Sequence, residues 1–154
     1  MVDDYSKVKV QISKQDILGK ELQGAKLIVK GTEADGTIYN SGEWESDGKT
    51  AKQLELKPGT YLLKETFAPQ GYTIATAISF KVNADGTVTR NGQPVVNNTF
   101  KLVDDFLPNG VRFSKLDLLG QALAGAHLVV TGKETGAASN ITQLEWDSTG
   151  TAKD

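Results

Sequence analysis

An all-β fold is what this sequence predicts, and three observations predict it. Short β-prone runs alternate with Asp-Gly, Asn-Gly and Pro-Gly pairs, the pattern of strands joined by tight turns. No segment keeps a helical apolar period long enough to build a helix. The chain also repeats its own sequence after roughly a hundred residues, the mark of an array of similar units.

Taken in order, the expected strands are 8–14, 25–31, 36–44, 51–57, 60–67, 77–83, 87–90 and 98–105. Turns fall at Asp35-Gly36, Asp47-Gly48, Pro58-Gly59, Asp85-Gly86 and Asn91-Gly92, where Asp or Asn offers a local acceptor and Gly a left-handed backbone. In the first strand Val8, Val10 and Ile12 share a face with Lys14, while Lys7, Lys9, Gln11 and Ser13 point the other way, because side chains alternate along an extended chain. Tyr61, Leu63, Glu65 and Phe67 share a face of the fifth strand. In the last strand Phe100, Leu102, Asp104 and Phe106 lie in phase, which selects Asp104 over Asp105. Three apolar faces therefore carry one ionisable group each. A charge among apolar neighbours is costly unless paired or neutralised. A buried ion triad is seldom kept for stability alone, so an amine and two carboxyls in phase point to chemistry.

The repeat sets the domain organisation. Val10 through Ala25 returns as Val111 through Ala126 at an offset of 101, which sets Lys115 in the place of Lys14. Glu43-Trp44-Glu45 returns as Glu145-Trp146-Asp147 with one residue of slippage. The same offset aligns Val2-Asp3-Asp4-Tyr5 with Val103-Asp104-Asp105-Phe106, so Asp3 is the counterpart of Asp104. Residues 1–6 read as the terminal strand of a preceding repeat and a linker. Residues 7–106 read as one complete domain, and 107–154 as a linker and the N-terminal part of a second. That second part contains no counterpart of 59–72, so three or four strands and an open sheet edge are expected of it.

Composition narrows the function. With 17 basic and 19 acidic residues, scattered and netting −2, the chain has no basic field for nucleic acid or an anionic membrane. It has neither an apolar run of bilayer length nor a leader-type N-terminus, so a soluble chain is expected. Absence of cysteine and a single histidine, His127, exclude disulfides, thiolate sites and most imidazole chemistry. His127 replaces Lys26 of the first repeat on the outward phase, where solvent is expected. Leu107-Pro108-Asn109-Gly110 reads as an interdomain linker, and Gly42 with Gly48-Lys49-Thr50 as a hairpin turn, since a phosphate loop needs other spacing and a following helix. Asp35, Asp47 and Asp85 precede glycines in turns without the alternating oxygens of a calcium loop. Neither metal nor cofactor is expected.

Ile12-Ser13-Lys14-Gln15-Asp16, Gly19 through Ala25, Glu65-Thr66-Phe67-Ala68-Pro69-Gln70-Gly71-Tyr72, Ile74 through Asn83, and Val103-Asp104 together carry a resemblance. Over about 8–106 the chain resembles the CnaB-type isopeptide-forming domains of Gram-positive bacterial surface adhesins. The resemblance implies an immunoglobulin-like β-sandwich in which Lys14 and Asp104 close an intramolecular isopeptide bond assisted by Glu65. It also implies a structural stalk module outside the cell, wall-anchored in the full-length protein, whose partners are neighbouring repeats, and which acts as a monomer. A ligand-binding module contacting a host protein or glycan is the alternative; an enzyme with turnover is not expected. The chemistry agrees with the transfer. An amine attacks a carboxyl carbon when the amine is neutral and the carboxyl protonated. Burial disfavours both charged forms, and a second acid can relay the proton. Lys115 is expected to stay a free amine.

Overall fold

Alternating apolar residues close into two sheets over residues 8–104, and the sheets bury those residues between them. The computed structural model describes residues 5–108, 110–133 and 141–152, the side chains of 141 and 142 excepted. The chain divides into two compact units, Met1–Leu107 and Pro108–Asp154. Unit 1 contains β1 (Val8–Asp16), β2 (Gln23–Glu33), β3 (Ile38–Asn40), β4 (Trp44–Asp47), β5 (Lys52–Leu56), β6 (Gly59–Phe67), β7 (Ile78–Val82), β8 (Val88–Arg90), β9 (Gln93–Pro94) and β10 (Thr99–Asp104). One sheet has the order β10-β1-β5; the other runs β3-β2-β6-β7-β8-β9, with β4 also paired to β2. β1 and β10 are parallel and in register, Lys14 opposite Leu102 and Asp16 opposite Asp104.

Fourteen buried apolar residues form the core between the sheets, among them Val10, Ile12, Leu27, Val29, Leu63 and Leu102. Tyr61 stacks on Phe80 at 5.5 Å, and Phe80 meets Phe100 of the facing sheet at 4.5 Å, so aromatic contacts tie the layers together. Gly31 lies opposite Tyr61 across the β2–β6 pair. A Cβ there would run into the Tyr61 ring and the Thr60 carbonyl, which is why the strand has no side chain at that point.

The structure departs from the expected strands in four places. The strand expected over 36–44 is two strands, β3 and β4. Between them the Asn40 side chain accepts a hydrogen bond from Gly42 N at 3.0 Å, and Gly42 turns at φ +72°; this local bond competes with the sheet ladder. A second departure is β9 with the 3₁₀ turn Val96–Asn98, in which Asn97 and Asn98 take left-handed φ values of 51° and 50°. Ser13 is buried although it points out of the core. The chain folds back over that face, with Gln15 bridged to Glu21, and Ser13 Oγ donates to Glu21. Phe67 is exposed, because the β2–β6 register shifts where Lys26 faces Phe67, and the alternation ends there.

Unit 2 contains β11 (Ala124–Lys133) and β12 (Ile141–Thr149), antiparallel with Leu128 opposite Trp146. Phe113 packs against Trp146 at 5.6 Å. Among the described residues, no helix is long and apolar enough to cross a membrane.

Candidate functional site

Lys14, Glu65 and Asp104 meet in the core of unit 1. Lys14 and Asp104 come from neighbouring strands of the small sheet, while Glu65 comes from β6 of the facing sheet. Parallel pairing sets Lys14 beside Leu102, so the lysine side chain leans two residues along β10 to reach Asp104. Its Nζ lies against Asp104 Oδ1 and 3.5 Å from Glu65 Oε1. Lys14 Nζ also donates to the Leu102 carbonyl at 3.4 Å. All three residues are at most 2 % exposed. Asp105, by contrast, faces out.

The polar groups at this site are only partly satisfied. Glu65 Oε2 accepts a hydrogen bond from Ala75 N at 2.7 Å. Glu65 Oε1 and both Asp104 oxygens are buried without a hydrogen-bond partner, so the approach of Lys14 is an electrostatic contact and not a well-formed hydrogen bond. Orphaned buried oxygens are destabilising, and an arrangement of this kind calls for a functional reason. Burial pushes the Glu65 carboxyl up to about 7. The Ala75 N–H and the Lys14 ammonium oppose that rise, and the Asp104 carboxyl adds to it. Near neutral pH Glu65 therefore exchanges a proton readily, as a relay requires.

A cleft of about 370 Å³ reaches Lys14 from the β4–β5 side. Trp44 forms part of its wall, with Lys52 Nζ 6.0 Å from the ring centre.

Lys115 is exposed in unit 2, and Asp3 lies outside the described residues. His127 is exposed as expected, and its Nδ1 lies 2.9 Å from Asp147 Oδ1. Sequence reasoning missed two contributors. Asp16 is buried beside the site, and its Oδ1 accepts from Leu18 N and Lys20 N, both at 2.9 Å. The Asp-x-x-Gly spacing, repeated at Asp117 and Gly120, was the available signal. The Ala75 amide has no sequence signal, because any residue but proline supplies one.

Comparison with known proteins gives consistent matches. A family model described as the SpaA prealbumin-like fold domain matches residues 8–96; Lys14 and Glu65 lie within the match and Asp104 just beyond it. The pilus tip adhesin Cpa of Streptococcus pyogenes is 36 % identical over 89 residues, covering 56 % of this chain and 13 % of Cpa. The chain thus spans a small part of that relative's length. A solved structure of the pilus-presented adhesin Cpa is 33 % identical, with a TM-score of 0.48, over 58 % of this chain and 20 % of that one. The shaft pilin SpaA of Lactobacillus rhamnosus GG, solved as a D295N mutant, is similar in fold, with a TM-score of 0.51 at 17 % identity over 79 % of this chain and 58 % of that one.

Proposed function

The chain belongs to the SpaA family of prealbumin-like fold domains, and from that premise we propose that residues 7–106 form a structural module of a bacterial surface adhesin or pilus-type fibre, locked by an isopeptide bond between Lys14 and Asp104. The observation that carries this reading is the convergence of one amine and two carboxyls, buried together in a core that leaves their oxygens short of partners. Glu65 is the catalytic residue. Lys14 first passes one ammonium proton to the Asp104 carboxylate, leaving a neutral amine beside a carboxylic acid; the Glu65 carboxylate then takes a proton from Lys14 Nζ as the nitrogen adds to Asp104 Cγ. Glu65 then returns the proton to the departing hydroxyl, so that a C–N bond forms, a C–O bond breaks and one water is released. The fold aligns the reacting atoms, and such alignment reaches effective molarities of roughly 10⁵–10⁸ M. The product stays attached, so each molecule reacts once. The cleft beside Lys14 is the route we assign to the leaving water.

The bond would join the first and last strands of the unit and enclose about ninety residues, worth roughly 4–5 kcal/mol by restricting the unfolded chain. In a serial array, force would then pass between terminal strands through covalent bonds and bypass the hydrogen-bonded core. Residues 1–6 fit as the end of a preceding repeat and 107–154 as the start of the next. Neighbouring repeats are the partners this implies, at the bacterial cell surface. Intact mass tests the reading. The chain should weigh one water less than its sequence requires, and Lys14→Ala and Asp104→Ala should each restore the full mass. A full mass in the parent chain, or a deficit that survives Lys14→Ala, overturns it.

A further inference from the structure

The segment between β6 and β7 both touches the catalytic carboxylate and holds the end of β10. At one end of it, Ala75 N donates to Glu65 Oε2 at 2.7 Å. Toward the other, it is fastened to the residues that follow Asp104. Thr73 N donates to the Asp105 carbonyl at 2.9 Å, and Leu107 N donates to the Gly71 carbonyl at 2.8 Å. Between these two bonds Tyr72 and Phe106 form an antiparallel bridge, their rings 5.3 Å apart. Local hydrogen bonding within the segment is slight. Tyr72 N reaches Pro69 O at 3.1 Å, and Ala75 is held to the body of the unit by its bond to Glu65 and by packing of its methyl group against the core.

We propose that the Tyr72–Phe106 clasp is a positioning element for bond formation: it closes when β10 docks with Asp104 in place, and in closing it seats the Ala75 N–H on Glu65. Tyr72 and Phe106 touch none of the reacting atoms; they act through the backbone of 73–75. The order of events follows from the connectivity. Phe106 is two residues beyond Asp104, so the clasp cannot form until the strand carrying the acceptor carboxyl has arrived. Glu65 thereby gains its amide donor only when its substrate is present.

The consequence is a change in when Glu65 can take a proton. Lys14 of β1 and Asp104 of β10 are the charged groups that face it, β2 sets Leu27 beside it, and the 68–77 segment supplies only the amide. The amide bond favours the carboxylate, while burial favours the acid. An open clasp leaves the burial and removes the amide, so Glu65 then needs a higher pH to act as base.

This inference rests on the isopeptide reading, and the test separates the two. The full chain, recovered unfolded from inclusion bodies, is diluted into refolding buffer from about pH 5 to about pH 9. Samples are quenched in denaturant at intervals, and the fraction that has lost one water is read by intact mass. Tryptophan emission in a Trp146→Phe background, where Trp44 alone reports on unit 1, establishes that each variant has folded. Tyr72→Ala and Phe106→Ala are expected to slow bond formation about tenfold and to move the acid limb of the pH–rate profile upward by about one unit, while Tyr72→Phe matches the parent. Tyr72→Leu, which keeps apolar volume at the bridge, is read the same way where an alanine variant does not fold. Parent-like rates and profiles in the folded variants overturn the clasp. A slower rate with an unmoved profile also overturns it, since loosening of the fold alone gives that result. If the parent chain loses no water at any pH, the isopeptide reading itself has failed.

Discussion

Residues 10–25 and 111–126 are two copies of one sequence element held in two different settings. Their local structure is the same. Asp117 Oδ1 accepts from Leu119 N and Gln121 N at 2.9 Å each, as Asp16 does from Leu18 N and Lys20 N. Leu123 N reaches Lys115 O at 2.8 Å, matching Leu22 N to Lys14 O at 2.8 Å. Ser148 Oγ accepts from Ala126 N at 2.9 Å, as Ser46 Oγ does from Ala25 N at 3.0 Å. Burial is where they differ. Ala25, Leu27 and Val29 are fully buried, whereas Ala126, Leu128 and Val130 are only half-buried. Lys14 is 2 % exposed, and Lys115 is open to solvent. Turn hydrogen bonds are made by neighbours in sequence, so both copies have them. A lysine buried against two carboxyls is made by β6 and β10, which lie far along the chain, so among the described residues only the first copy has one.

Four measurements test how far that contrast extends. The largest effect is expected at the two lysines. Lys14→Ala should abolish the loss of one water and remove the roughly 4–5 kcal/mol contributed by the cross-link, while Lys115→Ala does neither; intact mass and urea unfolding read both. Next comes the core. Leu27→Ala should cost about 2–5 kcal/mol, as filled core positions do, against less than about 1 kcal/mol for half-buried Leu128→Ala. Equal costs in urea unfolding would break the comparison.

A smaller effect is expected with pH. In Lys14→Met no bond forms, and Glu65 is buried without its ammonium neighbour. Its folded-state value, already about 7 against an ordinary 4.5, then moves higher. The folded state binds the proton more tightly than the unfolded state, so stability falls as pH rises above 4.5 toward and past 7. Lys115→Met should keep the smaller pH dependence of the parent chain, and urea midpoints across that range decide it. The smallest effect is a likeness. Asp16→Ala and Asp117→Ala should each speed amide exchange at their two capped residues by about tenfold, to a similar degree in both units. A large difference between the two turns would show that tertiary contacts govern them after all.

The alternation along 8–14, 61–65 and 100–104 was legible in the sequence because period-two burial needs only a strand and something to cover it. For that reason the inward phase of Lys14, Glu65 and Asp104 could be read without knowing what packs on them. The bulge near Phe67 was not legible, since it depends on which strand pairs with which; the break at Gly42 and the left-handed pair Asn97 and Asn98 are local conformations that Asn and Gly permit but do not dictate. Ser13 illustrates the same limit. Its phase was read as outward, and it is, but a returning segment covers it.

By itself, the sequence determined the β class, the repeat, the turns and the face on which each ionisable side chain stands, because these follow from neighbours a few residues apart. Only the tertiary structure decided that Lys14 crosses two residues along a parallel partner to reach Asp104, that Glu65 faces both from the opposite sheet, and that an amide from the 68–77 segment holds Glu65. Those relations join residues up to ninety positions apart. No local pattern encodes such distances; they arise from how the two sheets stack and how β10 enters beside β1.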